Sequence, residues 1–300
     1  LGTKCNTMAI VPHKTISYCS EDDPEEEAIP VCTLKSFPYL IEHTLQWARD
    51  AFEDDFVSDP AEALTYIQEG SKDIGGSAGG SSGKDGYRAA LARTCNEQLQ
   101  RAERCERTIT RRPRDWAGCV RWARESFERR FVWPVKDLLA QNPLDKVSAD
   151  GTPFWSAKKR PPTPAAFSLG DDLHSSFLRS AATLRARVCG VTPGDTSRES
   201  LEAALIGFEP PAWTPSGFAI ATTEEEAAAQ AKARQQASED VDVLVDRILA
   251  ELPDPSEIVA EGVSIRPEEF EKDDDSNGHI EFIAAAGNIR AHQYGIPTAP

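Results

Sequence analysis

The chain has 300 residues, 27% of them charged, and a formal net charge of -16. That balance excludes a general nucleic-acid-binding role, which needs a surplus of Lys and Arg to meet phosphate. No apolar stretch approaches the length of a membrane span, and the first residues resemble neither a signal nor a transit peptide. In chain order, Met8 to Pro12 is a short apolar run and reads as a strand, and the acidic stretch 20–28 as an exposed loop. Pro30 and Pro38 bracket Cys32 and predict an extended or turned chain on both sides of it. A helix is expected from about 38 to 56, with Ile41, Leu45, Ala48, Phe52 and Phe56 on one stripe and Pro38 in its first turn. Ala61 to Gln68 reads as a short helix. Residues 70–86 read as a flexible surface insertion, because Gly75 to Gly83 has linker composition. Asp115 opens a strong helix carrying Trp116, Cys119, Val120, Ala123, Phe127 and Phe131, continued through Val135 to Leu139 with a kink at Pro134. After a Pro-rich loop at 150–168, Leu173, Phe177, Ala181, Leu184 and Val188 mark a further helix that stops at Gly190. Thr196 to Glu199 has capping-box form ahead of Leu201, Ala204 and Leu205. Polar helices follow at about Thr223 to Gln236 and Asp240 to Leu252, and Val263 to Ile265 reads as a strand. From Ser276 to about Gln293, Ile280, Phe282, Ile283 and Ile289 spread around a helix surface, which calls for burial on several sides. The set is mainly α, with α+β character at the edges.

Seven cysteines stand at 5, 19, 32, 95, 105, 119 and 189. No Cys-x-x-Cys pair occurs, so no zinc site is expected. The odd count without a secretory signal points to reduced thiols and a cytoplasmic or nuclear protein. Cys119 and Cys189 fall in apolar helical patterns and read as core. Cys32 stands apart, in a loop expected just ahead of a helix N-terminus whose free N–H groups favour a thiolate. Lys35 adds positive charge, whereas the acidic run from Glu21 to Glu27 raises the thiol pKa if it packs close. On chemistry alone a lone cysteine is most often a small buried hydrophobe.

Other segments invite functional readings and carry weaker ones. Gly79 to Asp85 departs from the phosphate-loop pattern at two places, with Ala78 for the first Gly and Asp85 for the hydroxyl residue. His43, the histidine nearest Cys32 in sequence, reads as a helix-surface residue pointing elsewhere rather than as the base of a Cys–His pair. Lys272-Asp273-Asp274-Asp275 fits capping of the following helix better than a metal site. Trp47, Trp116, Trp122, Trp133, Trp155 and Trp213 read as core or interdomain anchors rather than a stacking platform.

Longer strings narrow the choice. Pro30-Val31-Cys32-Thr33-Leu34-Lys35-Ser36-Phe37-Pro38, followed by Ile41-Glu42-His43-Thr44-Leu45-Gln46-Trp47-Ala48, resembles the active-site segment of ubiquitin-activating enzymes. Leu1-Gly2-Thr3-Lys4, Pro153-Phe154-Trp155-Ser156, Phe270 to Asn277 and Asn288-Ile289-Arg290-Ala291 match the same family in the same order, while Cys5 stands where the family usually has Gly. The resemblance implies a multi-helix catalytic cysteine domain inserted in a ThiF-like adenylation domain. Residues 1–28 would be an adenylation-domain flank and acidic crossover loop, 29–262 the cysteine domain, and 263–300 the return into the adenylation domain. The chain has no initial Met and starts inside a motif, so a piece of a longer protein is expected. The resemblance further implies that Cys32 carries ubiquitin as a thioester, with Thr33 as helper, and passes it to a ubiquitin-conjugating enzyme. ATP and magnesium would act mostly outside this chain. An activating enzyme for another ubiquitin-like modifier, or a non-catalytic helical docking module, are the alternatives.

Overall fold

The computed structural model describes residues 9–15, 29–72, 83–94, 97–148, 151–156, 159–236 and 238–299. The chain divides into two units, residues 1–30 and 31–300. In the first, the described part of the expected strand pairs with no other described segment. Residues 12–14 form a turn, closed by the N–H groups of Lys14 and Thr15 donating to Val11 O. Pro12 has no N–H to offer a ladder. The acidic stretch 20–28 and most of the Gly/Ser stretch lie outside the described residues.

The second unit is helical. Helix α1 (Val31–Lys35) is a single turn, and α2 (Ile41–Phe52) runs through a π-helical turn at Glu53–Ser58 into α3 (Asp59–Lys72). Helices α4 (Gly83–Ala92) and α5 (Gln98–Thr110) follow. The expected insertion at 70–86 is helical at both of its described ends, because α3 runs on to Lys72 and α4 begins at Gly83; residues 73–82 lie outside the described residues. A Cβ on Gly70 would stand 2.8 Å from Gly83 O and 2.3 Å from the Pro255 ring, so only Gly fits this close approach. Asp115 caps α6 (Trp116–Phe127), its carboxylate accepting from Gly118 N at 2.6 Å. A second π-helical turn, Glu128–Val132, leads into α7 (Trp133–Gln141). Pro134 stands in the first turn of α7, where its missing N–H is harmless, so the expected kink takes the form of a π-turn just before it.

Helix α8 (Asp172–Val188) ends at Gly190, whose φ of +67° closes the helix as its sequence promised. Helix α9 (Arg198–Leu205) is capped by Ser197, which accepts from Ser200 N, one residue after the Thr196 of the expected box. Helices α10 (Glu224–Gln236), α11 (Ser238–Glu251), α12 (Pro255–Ala260) and α13 (His279–Gln293) complete the unit. The two-sided capping box occurs instead at Asp254 and Glu257 of α12. Val263 to Ile265 is not a strand, for no second strand lies beside it. The only ladder-type pairing among the described residues is an isolated antiparallel bridge between Val147 and Pro153.

Two apolar clusters hold the unit together. The larger joins α2, α6, α8 and α13 through Phe52, Phe56, Phe127, Phe131, Phe177 and Phe282. The smaller gathers α3, α4, α5, α11 and α12 around Tyr66, Tyr87, Cys105, Leu249 and Ile258. Helix α13 packs on α2 and α8, so the burial its all-round apolar surface calls for is supplied within this chain. The acidic run before α13 does not cap it directly. Gly278 at φ +77° is the N-cap, while Asp274 binds Ser276 N and Oγ, and Asn277 Oδ1 accepts from His279 N at 2.7 Å.

Candidate functional site

Cys32 sits in α1, not in an extended loop, and α2 starts only at Ile41. A five-residue helix does not sustain itself in water, because nucleation fixes several residues for one hydrogen bond. Nor does α1 bury any residue of its own. Its neighbours hold it in place. Phe37 is buried with Leu138 and Phe154, and the Phe154 and Trp155 rings meet it at 6.0 and 6.1 Å. Lys159 lies 5.1 Å over the Phe37 ring. On the other side, Arg290 of α13 donates through Nη2 to Leu34 O at 3.1 Å and Lys35 O at 2.6 Å. The Tyr294 hydroxyl donates to Ser36 O at 2.8 Å. In the sequence, Arg290 stands out only as part of a motif, with no role attached.

The thiol is partly buried, and Thr33 and Glu224 flank it. Glu224 opens α10, and its Oε1 accepts the Cys32 N–H at 2.8 Å. Burial raises the Cys32 pKa, and the Glu224 carboxylate raises it further by accepting a hydrogen bond from the thiol and by its charge. The Thr33 hydroxyl and N–H pull the other way, since they stabilise a thiolate. The Cys32 contacts in turn lower the Glu224 pKa. In this arrangement the sulfur lies beside a carboxylate that disfavours its ionisation. Residues 218–222, which lead into α10, are strapped to α7: Gln141 donates to Phe218 O at 2.7 Å and accepts from Ile220 N at 2.9 Å. Lys159 adds a bond to Thr222 O at 3.0 Å. Glu224 stands 192 positions from Cys32, and no feature of its own segment in the sequence pointed to that pairing.

The other cysteines in the described residues differ in kind. Cys105, Cys119 and Cys189 are buried, and burial raises the pKa of each thiol, that of Cys119 to about 12. His43 is not on a helix surface. It is buried in α2, where its Nδ1 accepts from Tyr39 N and its ring stands edge-on to Tyr39 at 4.6 Å. His279 is likewise engaged, with Nδ1 accepting from Glu271 N and Nε2 against Glu268. Of the tryptophans, Trp122 is in the core, Trp47, Trp116 and Trp133 pack against it, and Trp213 donates to Asp137 Oδ1 at 3.1 Å.

Lys84, the one cation of the weak phosphate-loop match, donates to Leu249 O, Ala250 O and Leu252 O and so caps the C-terminal end of α11. No group of three or more His, Cys, Asp or Glu side chains among the described residues is placed to hold a metal ion. No helix among them is long and apolar enough to cross a membrane.

A family model described as "Ubiquitin-activating enzyme, SCCH domain" matches residues 38–300, taking in the helical unit from Pro38 onward but not Cys32 itself. The whole chain is 39% identical to a "Ubiquitin-like modifier-activating enzyme 1" of Dictyostelium discoideum and covers 28% of that protein. It is 38% identical to "Ubiquitin-activating enzyme E1 1" of Schizosaccharomyces pombe, again over 28% of that protein. With the human "Ubiquitin-like modifier-activating enzyme 1" it shares 37% identity over 26% of the protein. The chain thus spans little more than a quarter of the relatives it matches.

Proposed function

Because the chain belongs to the SCCH-domain family of ubiquitin-activating enzymes, we propose that it carries out the thioester step of ubiquitin activation, with Cys32 as the nucleophile. One observation carries the choice of residue. Among the described cysteines, Cys32 alone is partly exposed, and Cys105, Cys119 and Cys189 are buried. A nucleophilic thiol must be reachable by its substrate.

In this reading the substrate is the ubiquitin C-terminus already activated as an acyl-adenylate. Cys32 gives up its proton to solvent and its sulfur attacks the carbonyl carbon. A C–S bond forms, the C–O bond to the phosphate breaks, and AMP leaves with the electron pair. An acyl-adenylate needs no dedicated histidine base, consistent with His43 being engaged with Tyr39. The Thr33 hydroxyl and N–H stabilise the thiolate and then the charge growing on the carbonyl oxygen. Glu224 has to move away from the sulfur before attack, since its carboxylate opposes ionisation. The acyl group then passes to a cysteine of a ubiquitin-conjugating enzyme by thiol exchange. ATP and magnesium belong to an adenylation step performed by parts of the protein outside this chain. Residues 1–28 and 263–300 are the flanks that join the cysteine domain to a ThiF-like adenylation domain. The free thiols suit a cytoplasmic and nuclear setting.

The names of two relatives, which speak of ubiquitin-like modifiers, favour a second reading in which another such modifier is the cargo. Offering several modifiers to the full-length enzyme separates the two. The central test is Cys32→Ala in that enzyme, followed by single-turnover transfer from pre-formed adenylate on non-reducing gels. No thiol-sensitive conjugate should form, while pyrophosphate exchange continues. Thr33→Ala should slow transfer by less than the roughly hundredfold typical of losing a whole oxyanion donor, because its N–H survives. A thiol-sensitive conjugate on Cys32→Ala would show that another cysteine is the nucleophile.

A further inference from the structure

Arg290 is 2% exposed, and no carboxylate among the described residues lies within ion-pair distance of it. Its Nε has no hydrogen-bond partner. Among the described residues, the charge is met only by the carbonyls of Leu34 and Lys35 and by two ring faces, Trp47 at 4.3 Å and Tyr294 at 5.4 Å. Burial accordingly depresses its pKa. A buried cation without an anion is expensive, and an apolar side chain of similar volume would serve the packing better. What an apolar side chain cannot do is donate to the two carbonyls that end α1, two and three residues beyond Cys32.

The side chain is well placed for that task. Helix α13 is fixed against α2 at Gly287, where a Cβ would lie 2.8 Å from Leu45 Cδ2, and Arg290 lies about one turn further on. Its guanidinium therefore projects from a rigid element onto a turn that has no stability of its own. Tyr294, one further turn along the chain, extends the same grip to Ser36 O.

We propose that Arg290 is a positioning residue for Cys32, its guanidinium fixing the C-terminal carbonyls of the single-turn helix so that the thiol is presented in one place. The inference rests on the reading of Cys32 as the thioester nucleophile. Arg290 acts only through α1 and is not itself a catalytic group. A misplacement of about 1 Å at a nucleophile is enough to cost roughly a hundredfold in rate.

The experiment compares Arg290→Met, Arg290→Lys and Tyr294→Phe in the full-length enzyme with Leu201→Ala, a core truncation on α9, which packs against α6. Melting temperature, pyrophosphate exchange and single-turnover thioester formation are measured on each. The rate of Cys32 alkylation by iodoacetamide, read by peptide mass spectrometry, is measured as well. Arg290→Met should reduce thioester formation, relative to exchange, by roughly ten- to a hundredfold. Arg290→Lys should recover part of that loss, because an ammonium still donates to carbonyls. Tyr294→Phe should lose a few-fold. Leu201→Ala should melt earlier yet keep the wild-type ratio of thioester formation to exchange. The inference is overturned if Arg290→Met and Leu201→Ala change that ratio equally, or if Arg290→Lys recovers nothing while melting as wild type. Alkylation keeps the two readings apart. Should Cys32 prove not to be the nucleophile, an alkylation rate altered in Arg290→Met and unaltered in Leu201→Ala still supports positioning, and equal rates in both refute it.

Discussion

Gly287 offers a test of the helix crossing that carries the site. It lies inside α13, where glycine costs about 1 kcal/mol relative to alanine. Its presence is explained by α2: a Cβ there would stand 2.8 Å from Leu45 Cδ2, 3.4 Å from Leu45 Cα and 3.5 Å from Thr44 O. The first of these is the end of a side chain that can rotate, at a cost of roughly 0.5–1.5 kcal/mol. The other two are backbone and already in ordinary contact. Gly287→Ala should therefore come out near zero, the propensity gain of about 1 kcal/mol offset by the displacement of Leu45. Gly287→Val adds branches that meet backbone and cannot be relieved by a rotamer change, so α2 and α13 must separate. Overpacking of this kind costs typically 1–3 kcal/mol. At roughly 2–4 °C per kcal/mol, a loss of about 2 kcal/mol lowers the melting temperature by roughly 4–8 °C. Differential scanning calorimetry on wild type and both variants measures it. If Gly287→Val melts with the wild type, or if alanine and valine are equally harmful, the close crossing described here is wrong.

Two further outcomes follow from the same geometry. Glu224→Gln removes the charge that opposes ionisation of Cys32 and exchanges a carboxylate acceptor for a neutral amide. The pH profile of Cys32 alkylation should then move to lower pH, and alkylation at neutral pH should accelerate. A profile that moves up or stays in place would mean that Glu224 does not sit against the sulfur in solution. Phe282→Ala empties the centre of the aromatic cluster, where Phe282 meets Phe56 at 5.1 Å and Phe177 at 5.4 Å with no exposed surface. The loss should be about 3–5 kcal/mol, read by denaturant midpoint at unchanged slope, and a loss under about 1 kcal/mol would contradict that packing.

Where a helix carries a strong apolar stripe and ordinary stop signals, local physics sets it, and the sequence was enough. The helices of Trp116, of Leu173 and of Ile41 are of this kind, and Gly190 ended its helix by the left-handed conformation only glycine adopts freely. Helix α5 is weakly marked in the sequence although Leu99, Ala102, Cys105 and Ile109 stand at three- and four-residue spacings, because charged residues dilute the stripe. The strand reading at Val263 to Ile265 and the described part of that at Met8 to Pro12 differ for another reason: a strand exists only with a partner, and short apolar runs carry no information about one. The identity of the candidate nucleophile was likewise legible, through a string of residues around Cys32. Its setting was not. That Cys32 lies in a helical turn, that Glu224 from 192 positions away rests on its thiol, and that Arg290 from the far end of the chain holds the turn are facts of long-range packing. A five-residue turn has too little local free energy to specify its own conformation, so the bundle decides where the sulfur sits and which groups oppose or favour its ionisation.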